Sequence, residues 1–393
     1  MSLAPPAESL FDLSAAHRAI RDEASRVAAE FAPRAHEIRR HLIEHSEMHP
    51  QLWRVFRENG WCAYTPGSTE DGGLLAAAVV LAAFAEQGIV LWMPVLSTAI
   101  AHAIAVVGPD SARATWLPLV AAGKIHLGMA ATEPDSGHNL FAARTEIRRV
   151  EGGFVVRGLK RVTSGLDVVE RVLVFGRAFE GDRANGYTTL LVDPRAPGVT
   201  VTEIPMRFRE GVRQFQLELD DVAVPEDALV GREGGGLFAL WPFTDVERVL
   251  TAALCVGSAD YAVRSAVVRA KERVVAGGVP IGVHQAVSHP LARLTARLAA
   301  TRLLVHRAAA RLDAGAADTD VAADANAAKV LAADLAFDAA DHAVQVFGAD
   351  AWDERNGWLD HYLDARLSRS GPVSNEFALN YLAEHALGLS AHR

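Results

Sequence analysis

Only two cysteines, Cys62 and Cys255, occur in 393 residues. Two cannot form a disulfide framework, and a reducing compartment is the natural setting for such a chain. Long apolar runs are missing too. The longest, residues 74–85, falls short of the roughly 20 residues a membrane-spanning helix needs. Residues 1–6 have neither the basic start nor the apolar stretch of a secretory signal. These absences predict a cytoplasmic protein that does not enter a membrane. Basic clusters are absent: Lys and Arg are scattered and the formal net charge is -9, which argues against a nucleic-acid surface. No G-x-G-x-x-G follows a strand, and no Lys followed by Ser or Thr comes after the glycine-rich residues 231–236. A Rossmann unit and a P-loop are therefore excluded, and residues 231–236 read as a flexible connection.

What remains is the composition of a folded globular protein, with 50% hydrophobic and 22% charged residues. The length suggests two or three domains. Up to about residue 125 the pattern is helical, with Ile20, Ala24, Val27 and Phe31 three and four apart. Then it becomes alternating: Phe215, Leu217 and Leu219 interleave with Gln214, Gln216 and Glu218. Turn clusters at 151–153, 180–182 and 193–195 predict a compact sandwich or barrel of short strands. After Gly236 the helical period returns. Leu291, Leu294, Leu298 and Val305 form one stripe; Val330, Phe337 and Val344, filled in by Ala327, Ala340 and Phe347, form another, and residues 313–320 join the two helices. The expected fold is α+β and mainly α: a helical domain over 1–125, a small β domain over 126–236 and a helical bundle over 237–393.

Two kinds of motif stand out. His41-Leu42-Ile43-Glu44-His45 has the H-x-x-E-H spacing of some zinc enzymes. With 15 histidines in the chain and no third ligand identifiable, it reads as a solvated helix face. The segment Thr132-Glu133-Pro134-Asp135-Ser136-Gly137-His138 is a strand breaking into a turn, which exposes N–H groups and hydroxyls. A flavin needs such donors where reduction places negative charge. Alone, this segment is an ordinary turn. It is followed in order by Gly158-Leu159-Lys160-Arg161-Val162-Thr163-Ser164, Asp221-Val222-Ala223-Val224-Pro225, Asp245-Val246-Glu247-Arg248, Pro280-Ile281-Gly282-Val283-His284-Gln285 and Gln345-Val346-Phe347-Gly348.

In this order the segments resemble the acyl-CoA dehydrogenase family over about residues 15 to 390. The resemblance implies an N-terminal helical domain, a central β domain and a C-terminal four-helix bundle, assembled as a homotetramer with extended FAD. It places Thr132 on the flavin ring beside Met129 and Ala131, with Thr163 or Ser164 at the ring's edge. Gly137 and His138 flank the flavin and the substrate thioester. Arg273, Gln285, Gln345 and Gly348 grip pyrophosphate and adenosine, partly across a subunit boundary, and Ser374 and Glu376 meet the FAD. Arg248 and His138 are the expected substrate contacts. The implied substrate is an acyl-CoA or acyl-carrier-protein thioester, and the implied electron acceptor is an electron-transfer flavoprotein.

Removing a proton α to a thioester needs a desolvated carboxylate. Most members carry it on a loop near the C-terminus, where this chain has Pro372. Isovaleryl-CoA-type and long-chain members place it on the first long helix of the last domain, in a sequence like L-D-L-E-R. Asp245-Val246-Glu247-Arg248 matches that pattern, so Glu247 is the expected base. Pro372 also lacks the N–H that polarises the thioester carbonyl in the family, so Gly371 or Val373 is expected to donate instead. Further departures are Val162 for an aromatic residue, Ala276 where the family's R-x-x-F-G has Phe, Ala349 for Gly, His138 for Ser and Leu363 for Arg. Two other readings stay open: a flavin oxidase or monooxygenase acting on a small non-thioester molecule, and a non-catalytic relative.

Overall fold

The computed structural model describes residues 13–67, 72–206, 212–275, 277–315 and 319–390. Residues 1–6, Ala276 and the centre of the 313–320 loop, all used above, lie outside them. Six helices come first: α1 (Ala15–Phe31), α2 (Ala35–His45), α3 (Pro50–Glu58), α4 (Gly73–Ala85), α5 (Trp92–Val107) and α6 (Asp110–Ala121). Ser14 caps α1, its Oγ accepting the His17 N–H at 3.1 Å. The stripe Ala24, Val27, Phe31 faces the core. The run at 74–85 is apolar on every side because α4 is central: it packs against α1 and two C-terminal helices, and all but one of its side chains are buried.

A carboxylate ties this layer to the end of the chain. Asp313 accepts the N–H groups of Leu74 at 2.6 Å and Leu75 at 2.9 Å, capping α4 from far away in sequence. Gly73 must be glycine: its φ is +82°, and a Cβ would lie 2.4 Å from Asp313 Oδ1.

The middle region forms one continuous sheet from β1 (Leu127–Ala130), β2 (Glu146–Val150), β3 (Gly153–Ser164), β4 (Arg171–Glu180), β5 (Arg183–Val192), β6 (Val199–Ile204), β7 (Gln214–Pro225) and β8 (Leu229–Val230). The order is β6-β7-β3-β2-β4-β5-β8, with β1 parallel to β4. The expectation of short strands is corrected here. β3 and β7 run 12 residues each, and their ladder absorbs its curvature in two register shifts. One shift falls at Arg161–Val162, where Val162 has φ +56°, an uncommon conformation for a β-branched residue.

The turn after β1 is fastened to β3 by a buried ion pair. Lys160 Nζ lies 2.7 Å from Glu133 Oε1, with both side chains almost fully buried. Glu133 also accepts the N–H of Arg144 at 2.6 Å and of Thr145 at 2.9 Å, and Lys160 donates to Ala131 O at 3.0 Å. Gly158 lets this strand approach: a Cβ there would sit 2.5 Å from Thr145 Oγ1.

The chain ends in helices: α7 (Gly236–Glu272), α8 (Gln285–Asp313), α9 (Thr319–Phe347), α10 (Trp358–Leu367) and α11 (Asn375–His385). α7 is the hub, touching α4, α5, α8, α9 and β5. The predicted stripe on α8 is buried. That on α9 is corrected: Val330 and Ala340 are buried, while Ala327, Phe337, Val344 and Phe347 only flank the buried face. α9 packs against α7, α8, α10 and α11, and its buried residues are largely alanine, among them Ala325, Ala328, Ala332, Ala336, Ala339 and Ala343. Small side chains let two helices approach closely, so the larger ones turn outward: Phe337 meets Tyr362 at 5.6 Å and Phe347 meets Trp358 at 4.5 Å between ring centroids. Among the described residues no helix is long and apolar enough to cross a membrane.

Lys160→Met leaves the Glu133 carboxylate buried without its cation and is expected to cost about 3–5 kcal/mol in urea unfolding. Adding Glu133→Gln should recover a large part, because a neutral amide oxygen still accepts the two backbone N–H bonds. A single-variant loss under about 1 kcal/mol would show that the pair is solvated after all.

Candidate active site

A cavity of about 440 Å³ opens where the sheet, α5, α7 and residues 367–377 meet. The sheet side contributes Met129, Ala131, Thr132, Gly137, His138, Val162, Ser164 and Gln214. Opposite stand Trp92 and Leu96 from α5, and Leu240, Phe243, Thr244, Glu247 and Arg248 from α7. Residues 370–373 and Phe377 close the remaining wall.

Glu247 is the carboxylate of this cavity and is only 8% exposed. Burial pushes its pKa up to about 7, and the nearby cations Arg248 and Lys329 pull the other way without winning. Arg248 is itself largely buried. One guanidinium nitrogen donates to Asp245 at 3.3 Å, and its Nε is buried without a partner among the described residues. Lys329 is fully buried on α9 and donates to Asn375 Oδ1 at 2.8 Å. Burial brings its pKa down to about 8.

The wall at 370–373 is clamped at both ends. Arg369 pairs with Asp334 at 2.8 Å, and the Asn375 side chain donates to the same Asp334 at 2.9 Å. The Asn375 N–H closes the loop on Arg369 O at 2.9 Å. Within it, the Gly371 N–H donates to Leu367 O at 2.9 Å and is already used. The Ser374 N–H donates to His138 Nε2 at 2.9 Å. That bond places the proton of the neutral imidazole on Nδ1; burial and the cations Lys329 and Arg248 hold its pKa below the ordinary value. Of the two replacements expected for the missing Pro372 donor, Gly371 is therefore excluded in this conformation. Val373 lines the cavity, and its N–H has no acceptor among the described residues.

The chain matches three sequence profiles in order: "Acyl-CoA dehydrogenase, N-terminal domain" over residues 14–124, the middle domain over 128–222 and the C-terminal domain over 234–387. It is 35% identical over 368 residues to "Acyl-CoA dehydrogenase FadE12" of Mycobacterium tuberculosis, covering 92% of this chain and 94% of that protein. The chain belongs to the acyl-CoA dehydrogenase family. Its fold matches a glutaryl-coenzyme A dehydrogenase solved with glutaryl-CoA, at TM-score 0.86 and 20% identity, over 98% of this chain and all of that one. It also matches the FAD complex of PigA at TM-score 0.84 and 23% identity, over 97% and 100%.

Most of the expected flavin and substrate residues meet in the acyl-CoA dehydrogenase cavity: Met129, Ala131, Thr132, Gly137, His138, Ser164, Glu247 and Arg248. Thr163 does not line it; its hydroxyl is buried, without a partner among the described residues. Ser374 caps α11, accepting the Phe377 N–H at 3.2 Å, and Glu376 is exposed beside it. Arg273, Gln285, Gln345 and Gly348 are all exposed and line no part of the cavity. They lie in the α7–α8 turn and at the end of α9, two places joined by an Arg269–Asp350 ion pair. The histidines of H-x-x-E-H stack on α2 at 4.5 Å, and His49 stands 4.9 Å from His41, a proximity the sequence did not reveal. Among the described residues no group of three or more His, Cys, Asp or Glu is arranged to hold a metal ion.

Sequence reasoning missed Trp92, Leu96, Leu240, Phe243, Gln214 and Phe377. All but Gln214 are hydrophobic residues in or beside helices, indistinguishable in sequence from core. Gln214 gave no signal either: the alternation puts it with Gln216 and Glu218 on the polar face of β7, yet it is buried in a reciprocal bond with Ser164, at 2.8 Å through its own N–H.

The carboxyl of Glu247 ionises near 4.5 when unfolded and near 7 when folded. Between those values the folded state binds the extra proton, so stability falls as pH rises through the window and levels off above it. In the ligand-free protein the contribution is on the order of 3 kcal/mol. The stability difference between wild type and Glu247→Gln, measured by urea unfolding, should therefore change by about this much between buffer below pH 4.5 and buffer above pH 7. A difference independent of pH would mean that Glu247 ionises as freely folded as unfolded.

Proposed function

We propose that this protein is an FAD-dependent acyl-thioester dehydrogenase that introduces an α,β double bond, with Glu247 as the base. The observation that carries the reading is a single buried carboxylate on the long C-terminal helix, facing a cavity and held near neutral pKa by burial. Such a group is ionised in part at working pH and gains most from accepting a proton.

The residues present fit FAD. The strand-turn at 129–138 and the bulge at Val162 form the sheet-side wall, Ser164 and Gln214 supply polar groups there, and the Thr163 hydroxyl has no partner among the described residues. Met129, Ala131, Thr132, Thr163 and Ser164 would hold the ring, Gly137 and His138 would flank the flavin and the thioester, and Ser374 and Glu376 would meet the FAD. When bound, FAD supplies the acceptor for the hydride that leaves the β carbon. Arg273, Gln285, Gln345 and Gly348 are exposed at one end of the bundle, outside the cavity of their own chain. That exposure supports their gripping the FAD of a neighbouring subunit in a homotetramer.

The protein's own part is to position and to manage one proton. Glu247 accepts the α proton of the thioester. Arg248 and Lys329 oppose the charge that burial disfavours, so the carboxylate is available without losing its basicity. Leu240, Phe243, Leu96 and Trp92 exclude water from the reacting carbons. The Val373 N–H is the donor we assign to the thioester carbonyl in place of the one Pro372 lacks, since Gly371 and Ser374 are already bonded. The carrier is CoA or an acyl-carrier protein, and an electron-transfer flavoprotein is the acceptor.

Glu247→Gln should keep the flavin spectrum while slowing anaerobic bleaching by acyl-CoA by about 10²- to 10⁴-fold, the usual contribution of a positioned base. Wild-type rates in that variant would remove Glu247 from the mechanism. Oxygen consumption with a non-thioester substrate, and no bleaching by any thioester, would replace the reading with an oxidase.

A further inference from the structure

A second, much smaller cavity of about 30 Å³ lies beside the first. The two share Trp92 and Val212 in their linings, so these side chains separate them. The small cavity is otherwise lined mainly by apolar side chains, among them Ile38, Met48, Leu52 and Ile89. Trp92 is the first residue of α5, and Leu96, one helical turn on, faces the main cavity with it. The indole N–H is buried and has no hydrogen-bond partner among the described residues. Packing alone therefore holds the ring, and no hydrogen bond is lost when it is shortened.

We propose that Trp92 is a specificity-determining residue: its indole ends the acyl pocket and restricts the enzyme to short or compact acyl groups. The proposal rests on the acyl-thioester reading above. A chain long enough to reach the ring would have to push it into a space that holds little more than a water molecule. Packed interiors resist that. Shortening Trp92 joins the two cavities, and the merged pocket continues over Ile38, Met48, Leu52 and Ile89, which accept further methylenes beside the polar Arg39 and His49.

The experiment is anaerobic flavin bleaching by butanoyl-, hexanoyl-, octanoyl- and dodecanoyl-CoA, with wild type, Trp92→Ala and Trp92→Leu. Wild type should favour the short thioesters, and its kcat/KM should fall by about ten-fold or more once the chain meets the ring. Trp92→Ala should raise kcat/KM for dodecanoyl-CoA by a similar factor and lower it for butanoyl-CoA, chiefly through KM. Trp92→Leu should shift the profile the same way by less, and it carries the test should the alanine variant lose its flavin. Equal wild-type rates from butanoyl to dodecanoyl, or an unchanged profile in flavin-loaded variants, overturn this inference and leave the dehydrogenase reading standing. Bleaching by none of these four in any of the three proteins overturns this inference, and the same failure with branched and carrier-protein thioesters overturns the dehydrogenase reading as well.

Discussion

The ion pair between Glu133 and Lys160 determines where a cavity can exist. Past the β1 ladder the turn is no longer part of the sheet, and Glu133 and Ser136 bridge each other across it. Glu133 accepts two backbone N–H groups from the far side of the turn, and Lys160 brings the whole assembly onto β3. Such a pair adds little net stability, because desolvating two ions costs nearly what their attraction returns. What it adds is register. Thr132 O then receives the Arg161 N–H at 2.9 Å, and the bulge at Val162 follows immediately. The turn and the bulge together form the sheet-side wall of the cavity.

The opposite wall depends on a different balance. α7 buries Glu247 because its neighbours on the helix, Val246 and Val249, belong to the core against which it packs. A carboxylate in that position is expensive when ionised. Two cations sit close enough to reduce the penalty, yet burial still prevails and leaves the pKa near 7. Asp245, two residues earlier, has a raised pKa from burial as well, but it is bonded to Arg248. Of the two acids, only Glu247 lines the cavity.

Motifs made of polar or conformationally special residues were legible in the sequence: the turn at 132–138, the glycine and lysine of β3 and Glu247 were all named from their order; Thr132, Gly137, His138 and Glu247 line the cavity, and Lys160 fastens the turn to β3 behind it. The three-part fold followed from a change of periodicity. Less could be read where apolar residues do the work. Trp92 and Leu96 look like core, since a helix facing a cavity and a helix facing another helix need the same side chains. On α9 the larger hydrophobics suggested the wrong face, because close packing against the neighbouring helices selects alanine and leaves Phe337 and Val344 at the margin. Strand length was misjudged for a related reason. Bulges interrupt the alternation of β3 without ending the strand, so one long element reads as two short ones.

Pro372 poses the remaining physical question, since a lost donor to a developing oxyanion costs on the order of 3 kcal/mol. Two features of the wall offset it on the proposed reading. The clamp through Asp334 and Asn375 fixes both ends of residues 369–375, so the Val373 N–H is held in place and pays no ordering entropy when a carbonyl arrives. The raised pKa of Glu247 also contributes. Each unit of added basicity is worth up to about 1.4 kcal/mol of driving force, of which a fraction appears in the transition state. A stronger base can thus compensate for a less acidified α carbon. On that reading the base stands on α7 and the donor is the Val373 N–H, so position 372 has to supply neither and a proline is tolerated there.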